Sequence, residues 1–416
     1  MVGATRILMI SGYYWPHLSV DSAGRDVRLA SALTRAGLTV EVLTPRYAAS
    51  WPEELMHREI VVHRPVAAAR SQWSISRYLK YLEVWLTQHA GRFDVLFCTG
   101  LREEVIAVAR TAARRPIRTV LQHSGTADAA DHLAWPAMRY GRQLRLALNQ
   151  ADAIVVNWAS VQRELVALGI PPNLLHRIDL GISAGAAPAR EPLRAEAAGA
   201  LKARLSLAAV NRDLAIDRDS LVVLAAGQMN PRSGMLTLAE AMTRLIDHWP
   251  DLRLWLIGDG QQRDELHGYL RYHGIRQNVA MPGTFVDFED LFRVADVVVI
   301  PSPADGLEEM LPAALAAAVP LVAVDAVDTR AFLSGHEQSV GWFQPGDSAG
   351  LQAAIHATLV ALPARRAAAD RLRRDLLRRN SYDATVARYK QLFDSLAVAS
   401  SRSAANSAAG RSPADH

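Results

Sequence analysis

The chain has a single cysteine, Cys98, among 416 residues. That excludes an internal disulfide framework and suits a reducing cytoplasm. Cys98 ends the apolar run FDVLFC, which makes it a candidate buried small hydrophobe. Long apolar runs are missing too, and nothing approaches the roughly twenty residues needed to cross a bilayer. The N-terminal MVGATRILMISGYYWP has too short an apolar part, and no small-residue cleavage site, for a secretory signal. Basic modules interleaved with aromatics, of the kind that bind nucleic acid, are absent. The expected setting is cytoplasmic, with peripheral membrane contact as the open alternative.

What is present is an ordinary globular balance, 50% hydrophobic and 21% charged, on a chain long enough for two domains or one large one. The net charge is +4, and much of it is arginine on two segments with helical patterns, 139–148 (RYGRQLRLAL) and 365–379 (RRAAADRLRRDLLRR). These suit either a solvated helix face or contact with an anionic membrane surface or a phosphorylated acceptor.

Residues 1–190 alternate short apolar runs with helical patterns, the signature of a parallel α/β sheet. Strands are predicted at 6–12, 39–45, 94–100, 118–125 and 151–157, and a first helix at 25–37. Each run ends in small or polar residues, and open α/β sheets put their ligand crevice at those carboxyl ends. The Ala- and Arg-rich stretch 191–218 reads as a partly helical interdomain connection. A second α/β unit follows over 219–363, with strands at 221–227, 252–258, 279–283, 295–302 and 320–325. Residues 364–398 read as helices crossing back to the first domain, and the small, polar 399–416 as a disordered tail.

In the second unit, Gly258-Asp259-Gly260, Gly283, Ala295-Asp296, Pro301-Ser302, Gly306 and Pro320 form an ordered series. Gly12 and Ala23-Gly24 follow the first strand, and LQHSG (121–125) ends a later one. Together these resemble the retaining family-4 glycosyltransferases of the GT-B fold, over about residues 5–396. The resemblance implies an α/β protein with two Rossmann-like domains facing a central cleft. It implies transfer of a sugar from a nucleoside diphosphate sugar to a small-molecule or lipid-linked acceptor, with retention. No cofactor and no metal are expected, because helix N-termini and basic groups stand in for Mg²⁺ at the diphosphate. The lack of an Asp-x-Asp pair near the cleft segments agrees. By the same resemblance Gly12 lies under the diphosphate, Tyr13 faces the acceptor, and His123 stands beside the reacting sugar. An imidazole there can hydrogen-bond a hydroxyl and stabilise nearby charge. Arg25 is placed with Tyr13 on the acceptor side, where it suits a phosphate contact and a plain surface position equally. Tyr382 occupies a place where the family often has an aromatic residue.

Two signatures depart from the family. An Arg and a Lys, five apart, that neutralise the donor pyrophosphate are here Gln228 and Ser233. Both donate hydrogen bonds, but charge-assisted bonds are about twice as strong. Arg232 sits one place early and either swings in or faces solvent. The family's Glu-x7-Glu becomes Asp305 and Ala313. Asp305 keeps a carboxylate for sugar hydroxyls, shortened by one methylene, whereas Ala313 drops a ribose contact. The Gly-Phe-Gly after the first acid becomes Gly306-Leu307-Glu308, followed by Glu309. Backbone amides of Gly306, Leu307, Glu308 and Glu309 are expected to hold the diphosphate beside Gly258. The two carboxylates repel it unless they point elsewhere. Pro312 fits only the first turn of a helix. Three readings follow: an active enzyme whose enlarged subsite takes an unusual sugar in specialised-metabolite or glycan biosynthesis, a pseudo-enzyme that partners an active transferase, and a scaffold at a membrane. The retained His123, Asp305 and Gly-Asp-Gly turn favour the first.

Overall fold

The computed structural model describes residues 4–16, 21–184, 195–217, 220–285, 289–304 and 306–409. The strands are β1 (Arg6–Ser11), β2 (Thr39–Leu43), β3 (Glu54–His57), β4 (Ile60–His63), β5 (Val95–Thr99), β6 (Arg118–Gln122), β7 (Ala153–Val156), β8 (Leu175–Arg177), β9 (Val222–Ala226), β10 (Arg253–Ile257), β11 (Val279–Gly283), β12 (Val297–Ile300), β13 (Leu321–Val324) and β14 (Gly341–Phe343). The helices are α1 (Asp21–Arg35), α2 (Ile75–His89), α3 (Glu104–Ala112), α4 (Asp131–Ala134), α5 (Gly141–Leu148), α6 (Ala159–Ala167), α7 (Ala195–Val210), α8 (Met235–Ile246), α9 (Arg263–Tyr272), α10 (Glu289–Val294), α11 (Met310–Ala316), α12 (Val327–Phe332), α13 (Ser348–Val360), α14 (Leu362–Arg379) and α15 (Tyr382–Ala409).

These elements build two sheets. The first has eight strands in the order β3-β4-β2-β1-β5-β6-β7-β8, parallel except for the β3–β4 hairpin. The second has six parallel strands in the order β11-β10-β9-β12-β13-β14. Central strands β5 and β9 are buried at every position, which is why they read as continuous apolar runs rather than alternating ones. Helix α1 buries Val27, Ala30 and Leu33 at helical spacing on the first sheet.

Both sheets are doubly wound. The chain leaves β1 toward β2 and later returns to pair β5 on the other side of β1, and it treats β9, β10 and β12 in the same way. Loops after neighbouring strands diverge at such a switch point and open a crevice. The crevice loops are therefore those after β1, β5, β9 and β12.

Two strands of chain connect the domains. They pair with each other: Ile182 N–H donates to the Asn380 carbonyl at 2.9 Å, and Tyr382 N–H donates to the Ile182 carbonyl at 2.8 Å. A Cβ on Gly181 would lie 2.6 Å from the Tyr382 Cα, so only glycine permits this approach. Beyond it α15 packs on the first sheet, with Phe393 5.1 Å from Phe97, ring centre to ring centre. Helix α14 does not cross; it stays on the second domain against α11 and α13. Helix α7, in the predicted connection, packs on α10 and buries Ala203 and Leu207.

The expected disordered tail needs correction over 399–409, which continue α15. Alanine-rich sequence carries the lowest helical cost and extends a helix already nucleated upstream. Residues 410–416 lie outside the described residues. No helix among the described residues is long and apolar enough to cross a membrane.

Candidate active site in the interdomain cleft

On the first-domain side, the loop after β1 carries Gly12 and Tyr13. The Tyr47 hydroxyl donates to the Gly12 carbonyl at 2.6 Å, and Tyr13 stacks on Tyr47 with ring centres 5.7 Å apart. Asp26 on α1 is buried and accepts from the hydroxyls of Ser11, at 2.8 Å, and Thr99. Its neighbour Arg25 is also buried. It reaches Asp26 at 3.1 Å, Ser124 at 2.8 Å and, across the cleft, Glu308 at 2.6 Å. The Gly125 N–H donates to the other oxygen of Glu308 at 3.0 Å. Burial works against the Arg25 charge, but Glu308 and Asp26 outweigh it and hold the guanidinium protonated above its ordinary value. One turn along α1, Arg28 pairs with Glu309 at 2.6 Å.

His123 follows β6 and is 2% exposed. Its N–H donates to the Val155 carbonyl at 2.9 Å, and its Nε2 lies 3.1 Å from His132 Nδ1. Burial, opposed by Asp131 and reinforced by His132 and Arg25, pulls its pKa down to about 4. The imidazole is therefore neutral near pH 7.

On the second-domain side, the loops after β9 and β10 interlock. A Cβ on Gly258 would sit 1.9 Å from the Gly227 carbonyl oxygen, and the φ of Gly258 is +138°. The Gly-Asp-Gly turn is thus required for close backbone approach. Beside it, Gln228, Asn230, Arg232, Asp259 and Gly260 line an open recess of about 900 Å³. Ser233 is buried, and its hydroxyl donates to the Asn230 carbonyl at 2.8 Å, so it caps its own loop instead of facing the recess. Arg232 swings in, but to protein: it donates to the Asp128 carbonyl across the cleft at 3.0 Å. Gly306 has a φ of +80° and Leu307 is buried in the core. Pro312 is in the first turn of α11, where its missing N–H costs nothing. Ala313 opens onto a cavity of about 410 Å³ between α1 and the α10–α11 layer, with Arg28, Phe292, Pro312 and Tyr382 in its walls. Asp305 lies outside the described residues.

The sequence itself is similar to known proteins in both halves. The family model described as "Glycosyl transferase 4-like domain" matches residues 27–181, and the one described as "Glycosyl transferases group 1" matches residues 220–360. The chain belongs to the family-4-like glycosyltransferases. Its fold is GT-B. It is 29% identical over 191 residues to lipopolysaccharide core biosynthesis glycosyltransferase LpsE of Rhizobium meliloti (strain 1021), covering 44% of this chain and 55% of that protein. The chain thus spans about half the length of this curated relative, and less of the others. Sucrose-phosphate synthase from Thermosynechococcus elongatus superimposes with a TM-score of 0.74 at 17% identity, over 95% of this chain and 100% of that one. Anabaena Alr3699/HepE in complex with UDP and glucose superimposes with a TM-score of 0.73 at 18% identity, over 94% and 100%.

In this family-4-like chain the cleft holds residues that sequence reasoning passed over. Arg28 is three residues from Arg25 and so shares its helix face; two adjacent acids opposite them were the available signal. Asp131 and His132 open α4, with nothing in the sequence to mark them. Asp328 at the start of α12 accepts from Thr126 and, at 2.6 Å, from Ser160, both on the first domain. Within the basic run 365–379, Arg366 pairs with Asp296 and Arg373 donates to the Ala316 carbonyl at 2.7 Å, while Arg371, Arg374, Arg378 and Arg379 are exposed. Among the described residues no group of three or more His, Cys, Asp or Glu is placed to hold a metal ion.

Proposed function

We propose that the protein transfers a glycosyl group from a nucleoside diphosphate sugar to a hydroxyl-bearing acceptor, with retention and without a metal. The observation that carries this reading is the apposition of two switch-point crevices, joined by Arg25 and the Gly125 N–H of the first domain on Glu308 of the second, with His123 in the same loop as Gly125. The donor's nucleoside would lie against Ala313 in the cavity beside α1, and its diphosphate would run from Arg28 in that cavity toward the recess beside Gln228 and Gly260. His123 would hold a sugar hydroxyl, and Asp305 would hold others. HepE, which shares the fold, takes UDP and glucose in its crystal, and LpsE acts in lipopolysaccharide core biosynthesis. Both support a nucleotide sugar donor and a glycan acceptor on a lipid. Exposed Leu146 and the arginines of α5 would then rest on the anionic membrane that carries it, with the protein otherwise in the cytoplasm.

A second reading has a specific observation behind it. Arg25 and Arg28 on α1 are each paired with a glutamate of the opposite domain. A pseudo-enzyme held shut by these pairs would partner an active transferase. Thermal shift against UDP, GDP and dTDP separates the two. A ligand at a hundred times its dissociation constant adds about 2.7 kcal/mol of stability. We expect one nucleotide to stabilise the protein, and His123→Ala to abolish transfer while leaving that shift in place. No shift with any nucleotide at millimolar concentration favours the pseudo-enzyme.

A further inference from the structure

We infer that His132 and Glu164 fix the tautomer of His123, so that His123 offers the lone pair of Nδ1 to a sugar hydroxyl. The identity of the hydroxyl rests on the transfer reaction proposed above; the tautomer does not. Three separate elements meet here. His123 follows β6, His132 is on α4, and Glu164 is on α6. His123 Nε2 is 3.1 Å from His132 Nδ1, and His132 Nε2 is 3.2 Å from Glu164 Oε2.

The protons along this row are determined from its outer end. Glu164 is half-exposed, at 49%, and a carboxylate only accepts. His132 Nε2 must therefore carry a proton. Burial disfavours a second proton on either ring. His132 Nδ1 is then a lone pair, and it accepts from His123 Nε2–H. A neutral imidazole has one N–H, so His123 Nδ1 is left as an acceptor. The opposite order would set a lone pair of His132 against the carboxylate of Glu164. Asp131 does not compete, because one of its oxygens accepts from the Leu101 and Ser124 amides at 2.7 and 2.8 Å. Its other oxygen has Arg102 at 3.6 Å. His132 and Glu164 are positioning residues: neither needs to touch substrate, and both decide whether His123 accepts or donates.

The test uses the full chain labelled with ¹⁵N-histidine and long-range ¹H–¹⁵N correlation. The His123 ring is identified by its loss in His123→Gln. The expected spectrum shows His123 protonated at Nε2, and a mixture of tautomers in Glu164→Ala, a surface change that leaves the fold intact. A His123 protonated at Nδ1, or a pattern unmoved by Glu164→Ala, overturns the inference. Kinetics add a second readout. His132→Phe should lower kcat roughly tenfold, the loss of one hydrogen bond, with the donor KM nearly unchanged. His132→Asn should restore most of it, because its amide oxygen takes the place of Nδ1. Equal losses in both variants also overturn the inference. A chain that turns over no nucleotide sugar contradicts the proposed reaction, while the tautomer measurement still stands or falls by itself.

Discussion

At the scale of the residue, the depressed pKa of His123 has a consequence for folding. The folded ring binds its proton only near pH 4, whereas an unfolded histidine does so near its ordinary value of 6.5. Between these values the unfolded chain holds a proton that the folded chain does not, so stability rises with pH through that window. The full contribution is up to about 3 kcal/mol, present above the unfolded value and lost as pH falls toward the folded one. The pKa of His132 is also lowered by burial and acts in the same direction. We therefore expect His123→Gln to flatten the acid limb of a urea-midpoint profile over roughly pH 4 to 6.5. A slope equal to that of the unmodified chain would mean that His123 is protonated in the folded protein. Glutamine keeps a polar side chain of similar reach, so the comparison isolates the proton.

At the scale of the element, helix α1 and the loop before α11 carry adjacent ion pairs of different character. Arg25 and Glu308 are each 7% exposed in their side chains, whereas Arg28 is 41% exposed. Breaking a buried pair strands a charge and costs about 3–5 kcal/mol, while an exposed pair contributes about 0–1 kcal/mol. Glu308→Ala should thus lower the melting temperature sharply and Glu309→Ala scarcely, as calorimetry would show. The same geometry predicts a gain. Glu309→Gln frees Arg28 beside the cavity and should tighten nucleoside diphosphate binding by roughly fivefold, about 1 kcal/mol, in titration calorimetry. Unchanged or weaker binding would place the phosphates away from Arg28. This is also the scale at which the limits of sequence reading are plain. Strands β1, β5 and β9 were legible because burial on both faces leaves unbroken apolar runs. The β3–β4 hairpin and β14 were not, because strands of three or four residues carry no periodicity. The sequence indicated that Glu308 and Glu309 had to point away from phosphate. It could not indicate toward what, since Arg25 lies 283 positions from Glu308 and only the fold brings them together. Ser233 was misread for a related reason: a hydroxyl bonded to its own loop looks, in sequence, like one free for a ligand.

At the scale of the whole molecule, the cleft is tied at its rim and hinged at its base. The base is the paired backbone at Ile182 and Ser381. The rim ties are Arg25–Glu308, Arg28–Glu309, Arg232 on the Asp128 carbonyl, and Asp328 with Thr126 and Ser160. Asp328 lines neither the recess nor the cavity, unlike Arg232 and Arg28, so it separates closure from donor binding. Thr126 is fully buried, and an orphaned buried hydroxyl costs about 1–3 kcal/mol. Asp328→Ala removes the acceptor, and opening the cleft is the way Thr126 and Ser160 can regain hydrogen bonds, from water. Spin labels report this directly. Tyr81 on the first domain and Tyr272 on the second are 57% and 87% exposed, and the single native cysteine, Cys98, is buried and will not label. In a Tyr81→Cys, Tyr272→Cys background, we expect a narrow distance distribution by double electron–electron resonance. Asp328→Ala should broaden it toward longer distances. An unchanged distribution would mean that the remaining ties, Arg25–Glu308 foremost, hold the domains together without Asp328.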